Sequence, residues 1–169
     1  PSLTTAGVLG SAPGGIAPLS LSGSTVGTDE CYQAGGTRTM CFTVYNASPD
    51  AEWIDHVQLT FHTALGAWSV ACNSQEANDS SGYPVHMTCS AAGNVVDYND
   101  TQIESPNLGE ITSGSSWQFC VDLTVPAAYH GPRQIPWVLS GDEDGDPPHD
   151  VSGSIEVNAC TPLMLTPEN

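Results

Sequence analysis

The sequence predicts an all-β domain, a β-sandwich of about seven to nine short strands stapled by disulfides. Three observations predict it. Apolar residues recur at every second position in several short runs. Clusters of Gly, Pro, Asn, Asp and Ser separate those runs, within a chain of 169 residues that has 17 Gly and 13 Pro. Six cysteines, at 31, 41, 72, 89, 120 and 160, stand far apart and form no Cys-x-x-Cys pair. Such spacing reads as three disulfides made in an oxidising compartment, not as metal ligands.

The elements follow in order. Residues 1–30 are rich in Gly, Ser, Thr, Pro and small apolar residues, with one short alternating piece, Ile16–Leu21. They are expected to form an extended N-terminal segment, either a linker or a strand donated to a neighbour. Residues 31–160 form the sandwich and 161–169 a C-terminal linker. After the turn at Ala34-Gly-Gly-Thr37, Thr39–Asn46 places Met40, Phe42 and Val44 on one face, with Cys41, Thr43 and Tyr45 on the other. Ser48-Pro-Asp50 breaks that strand. Alternation resumes in Trp53–Phe61. Ala67–Cys72 and Val85–Cys89 flank a polar loop, so Cys72 and Cys89 close a short loop between successive strands. Trp117–Val125 has the strictest period of two. Gln134–Leu139 and Val151–Val157 complete the set.

Lys+Arg is 2 against Asp+Glu 19, a net charge of -17. That balance excludes a phosphate-binding surface, because nucleic-acid affinity is built on lysine and arginine. It also opposes contact with an anionic membrane, and no apolar run reaches the roughly 20 residues a membrane span needs. Three Asn-x-Ser/Thr sequons, at Asn46, Asn78 and Asn99, mark candidate glycan acceptors. With the cysteines they predict an extracellular, cell-surface location. The chain opens on Pro1-Ser2-Leu3 with neither an initiator methionine nor a signal peptide, so a leader is expected to have been removed. Joined end to end, its termini read as a Pro-rich linker, as they would in one unit of a tandem-repeat chain.

Catalytic patterns are absent: there is neither Gly-x-Ser-x-Gly nor His-Glu-x-x-His. Five histidines and many serines could assemble a triad only in space. His56 and His62 fall opposite the apolar face and are expected to be solvent-exposed, so the protein is expected not to be an enzyme. Five acids crowd residues 142–150, and Asp142, Asp144, Asp146 and Asp150 are candidate calcium ligands, because calcium takes six to eight oxygens. The spacing is not that of an EF-hand, and no bidentate Glu follows. Asp97 and Asp100 with Glu104 form a second, weaker candidate. Four tryptophans raise the alternative of a carbohydrate-binding or adhesion module, which needs exposed flat aromatics. Trp68 and Trp117, in phase with the apolar faces, are expected in the core.

Two stretches carry a family resemblance. Ala34-Gly-Gly-Thr-Arg-Thr-Met-Cys-Phe-Thr-Val-Tyr-Asn46 resembles a strand of extracellular immunoglobulin-like domains of bacteria and archaea, of the CARDB type. Gly109–Pro126 is similar to their later stretch, where a Gly-bearing turn leads into a long strand ending in Val-Pro. The resemblance implies an immunoglobulin-like sandwich and a spacer, adhesion or appendage role, without chemistry. In that arrangement the strands of Cys41 and Cys120 are neighbours, which allows a cross-strand bridge between them. Cys31 and Cys160 would then tie the first strand to the last. The expected function is a non-catalytic structural subunit of a surface appendage, assembled head to tail. Its contact with neighbouring copies or repeats is assigned to Leu3, Val8, Leu9, Ile16, Leu19, Leu21, Leu163, Met164 and Leu165.

Overall fold

Alternation in Ser116–Val125 turns Trp117, Phe119, Val121, Leu123 and Val125 to one buried face, and this strand anchors the first of two sheets. The computed structural model describes residues 21–49, 52–62, 68–100, 110–141 and 149–161. Nine strands follow in chain order: β1 (Thr25–Gly27), β2 (Gly36–Tyr45), β3 (Ile54–Thr60), β4 (Ser69–Gln75), β5 (Met87–Ala92), β6 (Val95–Asp100), β7 (Ser116–Val125), β8 (Arg133–Gly141) and β9 (Asp150–Val157). One antiparallel sheet runs β1-β2-β7-β4 and the other β5-β6-β3-β8-β9. The immunoglobulin-like sandwich is therefore what the chain adopts.

Between the sheets lies a single apolar core. Met40, Phe42 and Val44 of β2 and the inward residues of β7 join Ile54, Val57 and Leu59 of β3 and Ile135, Trp137 and Leu139 of β8. Phe42 stacks on Phe119 with ring centroids 5.6 Å apart, and Tyr98 packs on Phe119 at 4.4 Å. Burying each such ring stabilises by about 2–3 kcal/mol. Trp68 and Trp117 are fully buried, as their phase predicted.

Two positions fall close to side chains that admit glycine alone. Trp137 stands opposite Gly153 across the β8–β9 ladder, and a Cβ on Gly153 would lie 2.4 Å from the indole. A Cβ on Gly141 would lie 2.1 Å from the Glu52 carboxylate.

The sandwich has two distinct ends. At the upper end the turn Leu21–Ser24 meets Asn46, and Ile54 bridges Ile111. At the lower end Tyr32 bridges Ala159, and Ala34 bridges Val125. The described chain starts at Leu21 at the upper end. It finishes at Thr161, next to Cys160, at the lower end. The 10-residue β2 spans most of the separation, roughly 30 Å.

Three disulfides join Cys31 to Cys160, Cys41 to Cys120 and Cys72 to Cys89. Cys41 and Cys120 are direct partners in the β2–β7 ladder, on its outward face, with Cα atoms 4.0 Å apart. Cys72 and Cys89 lie in different sheets, on the edge strands β4 and β5, so this bridge closes one lateral seam. Cys31–Cys160 holds the opposite side, where β1 and β9 are the edge strands.

Three sequence expectations are corrected. Residues 21–30 belong to the sandwich rather than to an N-terminal segment, because β1 pairs with β2 and Val26 is buried. Leu21 is not an inter-subunit contact: it is fully buried in its own core. Asn46 is not an available glycan acceptor. It is fully buried, and its amide nitrogen donates to the carbonyls of Glu52 and Ile111 at 2.9 and 2.8 Å. Leu3, Val8, Leu9, Ile16, Leu19, Leu163, Met164 and Leu165 lie outside the described residues.

Candidate functional site

Polar chemistry gathers at the upper end and on the outer face of the five-stranded sheet. The upper end is organised by Asn46, which the end of β2 carries inward. Its Oδ1 accepts the Ser48 N–H at 3.0 Å, while Ser24 and Ser48 hold the flanking backbone. Glu52 follows, fully buried, with Oε1 3.0 Å from Nδ1 of His149. Its Oε2 is buried without a hydrogen-bond partner. The carboxylate sits against Gly141 and His149, the two residues that bracket the acidic run.

Beside it, Asp79 is buried in a knot of donors. Its carboxylate accepts the N–H of Ser81, Tyr83 and Thr112 and the hydroxyls of Ser81 and Thr112. Burial alone raises a carboxyl, but these bonds overcome it and bring Asp79 down to about 2. Glu110 behaves oppositely. Burial pushes its carboxyl up and the charge of Asp100 adds to the rise, against the bond from the His86 N–H.

Of the expected calcium ligands, Asp142, Asp144 and Asp146 lie outside the described residues, as does Glu104, while Asp150 is exposed at the start of β9. Asp97 of the second calcium candidate is engaged by His56 and Gln58. Among the described residues, no three His, Cys, Asp or Glu side chains are grouped to hold a metal ion. Asn78 and Asn99 are exposed, and Asn99 donates to the carbonyl of Asp100.

On the five-stranded sheet, β6, β3 and β8 bring Asp97, His56 and Ser140 side by side. His56 Nε2 stands 2.5 Å from Asp97 Oδ1, and its Nδ1 3.4 Å from Ser140 Oγ. His56 is thus half-buried and paired rather than freely exposed; its side chain is 25% accessible. Single-sequence spacing could not show this trio, because only strand register unites it. Ser140 lies near the end of β8, paired with His56 on β3 and with Asp150, the first residue of β9.

The aromatic platform is also missing from the described surface. Trp68, Trp117 and Trp137 are buried, and Trp53 is half-buried with its ring edge against Tyr83. The outer face of the other sheet is Thr- and Ser-rich, with Tyr45 exposed at one corner. Beside that face, Gly27, Thr28, Asp29, Glu30, Cys41 and Thr43 line an open groove of about 330 Å³.

No family model matches the sequence, and no curated protein does. Among solved structures, a DUF4466 family protein from Parabacteroides merdae is similar over 84% of this chain at 12% identity and a TM-score of 0.44. This chain covers 45% of that protein, less than half its length. The seventh ScaB type I cohesin from Pseudobacteroides cellulosolvens is similar over 86% of this chain and 98% of its own, at 14% identity and a TM-score of 0.45. AggA, the major subunit of aggregative adherence fimbriae type I from Escherichia coli, is similar over 85% of this chain and 95% of its own, at 8% identity and a TM-score of 0.34. The CARDB-type resemblance rests on the sequence motifs alone.

Proposed function

We propose that this chain is a non-catalytic, extracellular structural unit that associates with further copies, or repeats, of itself head to tail. One observation carries the reading: the first strand, β1, enters the disulfide-stapled sandwich at its upper end, and the last, β9, runs out at the lower end. Units arranged along that axis propagate, because a heterologous contact that does not close gives an open filament. The three disulfides support service outside the cell. Residues 1–20 and 162–169 contain the apolar residues assigned to inter-unit contact, Leu21 excepted.

The test is electron microscopy and sedimentation of the full chain beside a variant lacking residues 1–20. The full chain should form polymers and the truncated one should remain folded and monomeric. A monodisperse full-length monomer at high concentration overturns the proposal.

Calcium on the acidic run belongs to the same proposal. The buried, unpartnered Oε2 of Glu52, on a carboxylate whose Oε1 lies against Gly141 and His149, supports it, since such an oxygen lacks the partner that burial demands. Calcium should raise the melting temperature and a chelator should lower it, by mass action on the folded state. A melting curve indifferent to both removes the ion.

A further inference from the structure

We infer that the Cys31–Cys160 bridge is a site of thiol–disulfide exchange, where a small neutral or cationic thiol attacks Cys31 and displaces Cys160. The place of one guanidinium carries the inference. Arg38 and Arg133 are the whole Lys+Arg content of a chain with 19 acids. Arg38 continues the inward phase of Met40, Phe42 and Val44, but it is exposed beyond the rim of the core, where the bridge passes. Its Nη1 donates to Cys160 Sγ at 2.9 Å and lies 3.6 Å from Cys31 Sγ. Among the described residues no carboxylate forms an ion pair with it; the ion pairs there all involve histidine.

A cation so placed acts on the chemistry of the bridge. Exchange is the attack of a thiolate on one sulfur while the other departs, and a better-stabilised leaving thiolate departs faster. An adjacent arginine is such a stabiliser. The shorter contact selects Cys160 as the leaving group, so Cys31 Sγ is the sulfur attacked. The incoming thiol gives its proton to solvent, and its sulfur's electron pair forms the bond to Cys31 Sγ. The Sγ–Sγ bond breaks with its pair on Cys160, whose thiolate Arg38 holds. The incoming sulfur is oxidised into the mixed disulfide and Cys160 is reduced.

Neither other bridge has this feature. The Arg133 guanidinium lies over the Tyr129 ring at 4.8 Å and donates to the carbonyls of Pro132 and His130. Cys120 shares the outward face of β7 with Asp122, whose charge disfavours a thiolate. Cys72 is more exposed, among the uncharged Asn73, Ser74 and Gln75. A small thiol needs a path to one sulfur only, and both Cys31 and Cys160 are part-exposed. Extra exposure at Cys72 therefore adds little, whereas stabilising the leaving group enters the rate exponentially.

The surroundings also set selectivity and reversal. Asp29 and Glu30 immediately precede Cys31 and repel anionic thiols. The Tyr32 N–H donates to the Asn158 carbonyl at 3.0 Å, and the Cys160 N–H to the Tyr32 carbonyl at 2.9 Å. These bonds keep the two segments together after opening, so the bridge re-forms when the thiol leaves.

The experiment treats the folded full chain at pH 7 with limiting cysteamine, or with the anionic 3-mercaptopropionate. Acid quenching, alkylation with N-ethylmaleimide and peptide mass mapping then locate each sulfur. The cysteamine adduct should appear on Cys31 and the alkyl label on Cys160 before either marks the other four cysteines. With each rate divided by that thiol's rate on a small neutral disulfide, cysteamine should be the faster. Arg38→Gln should slow the opening about tenfold without changing the rate at Cys72–Cys89, and Arg38→Lys should restore most of it. Thermal melts confirm that both variants fold. First labelling at Cys72 and Cys89, simultaneous labelling of all six cysteines, or a wild-type rate in Arg38→Gln overturns the inference. An adduct on Cys160 overturns the direction of attack, and equal normalised rates for the two thiols overturn the charge selectivity.

Discussion

Asp79 holds Thr112 twice, accepting its backbone N–H at 3.1 Å and its hydroxyl at 2.6 Å. Three further donors converge on the same carboxylate from Ser81 and Tyr83, pinning the loop before β5 to the turn before β7. The folded state keeps this carboxyl ionised down to about 2, below its ordinary 3.8. The stabilisation is therefore present above about pH 3.8 and is lost as pH falls through about 2; it amounts to roughly 2 kcal/mol. Asp79→Asn should cost about that much in urea unfolding at pH 7. The cost should shrink when the titration is repeated toward pH 2.

Glu110 has the opposite sign. Burial raises its carboxyl above the ordinary 4.5, so its ionised form opposes folding at neutral pH. That burden lifts as pH falls through the raised value. Glu110→Gln keeps an acceptor for the His86 N–H and removes the charge, so it should raise the melting temperature at pH 7. The advantage should fade on acidification. A lower melting temperature at pH 7 would show that the charge is needed where it is.

The disulfides should differ in worth according to the loops they close. Cys72–Cys89 spans 17 residues and Cys31–Cys160 spans 129. On chain entropy alone these contribute about 3 and about 5 kcal/mol. Paired Cys→Ala variants, unfolded in denaturant, should preserve that order. Equal losses would mean that the native contacts, not the unfolded chain, set the difference.

At the pair formed by Trp137 and Gly153, a methyl group has nowhere to go. Gly153→Ala should force the indole out of its place against β9 and destabilise by about 1–3 kcal/mol. A shift in tryptophan fluorescence should accompany the loss. An unchanged spectrum and stability would mean that β9 moves instead.

Much of the fold was legible because the strands that matter carry strong alternation. Met40, Phe42 and Val44, and the five inward residues of β7, read directly as a buried face. Cys41 and Cys120 stood out because they fall on the opposite phase of the same two strands. β6 was not legible: Val95-Val-Asp-Tyr-Asn-Asp100 has Asp97 and Asn99 on its outward positions and, with Asp100, invited a metal reading. Those outward residues instead face His56 and Gln58 across the ladder. β1 has three residues and exists only because β2 offers it an edge. The polar interior of the upper end was hidden for a different reason. Asn46 resembles a surface sequon locally, and only contacts with Glu52, 6 residues away, and Ile111, 65 residues away, make it a core residue.

Those register effects also bring together Ser140, His56 and Asp97, whose residue types alone suggest a hydrolase. Geometry argues otherwise. The Ser140 Oγ is 3.4 Å from the imidazole, beyond a good hydroxyl hydrogen bond. Asp97 is shared with Gln58, so its pairing with the imidazole is not exclusive. The trio serves as a cross-strand clasp linking β6, β3 and β8. The full chain should therefore hydrolyse a p-nitrophenyl ester no faster through Ser140 than without it, and Ser140→Ala should leave the rate unchanged. His56→Phe should leave that rate unchanged too, while lowering the melting temperature by breaking the contact with Asp97. A burst of product that disappears in Ser140→Ala would reverse this conclusion and make the outer face of the sheet an active site.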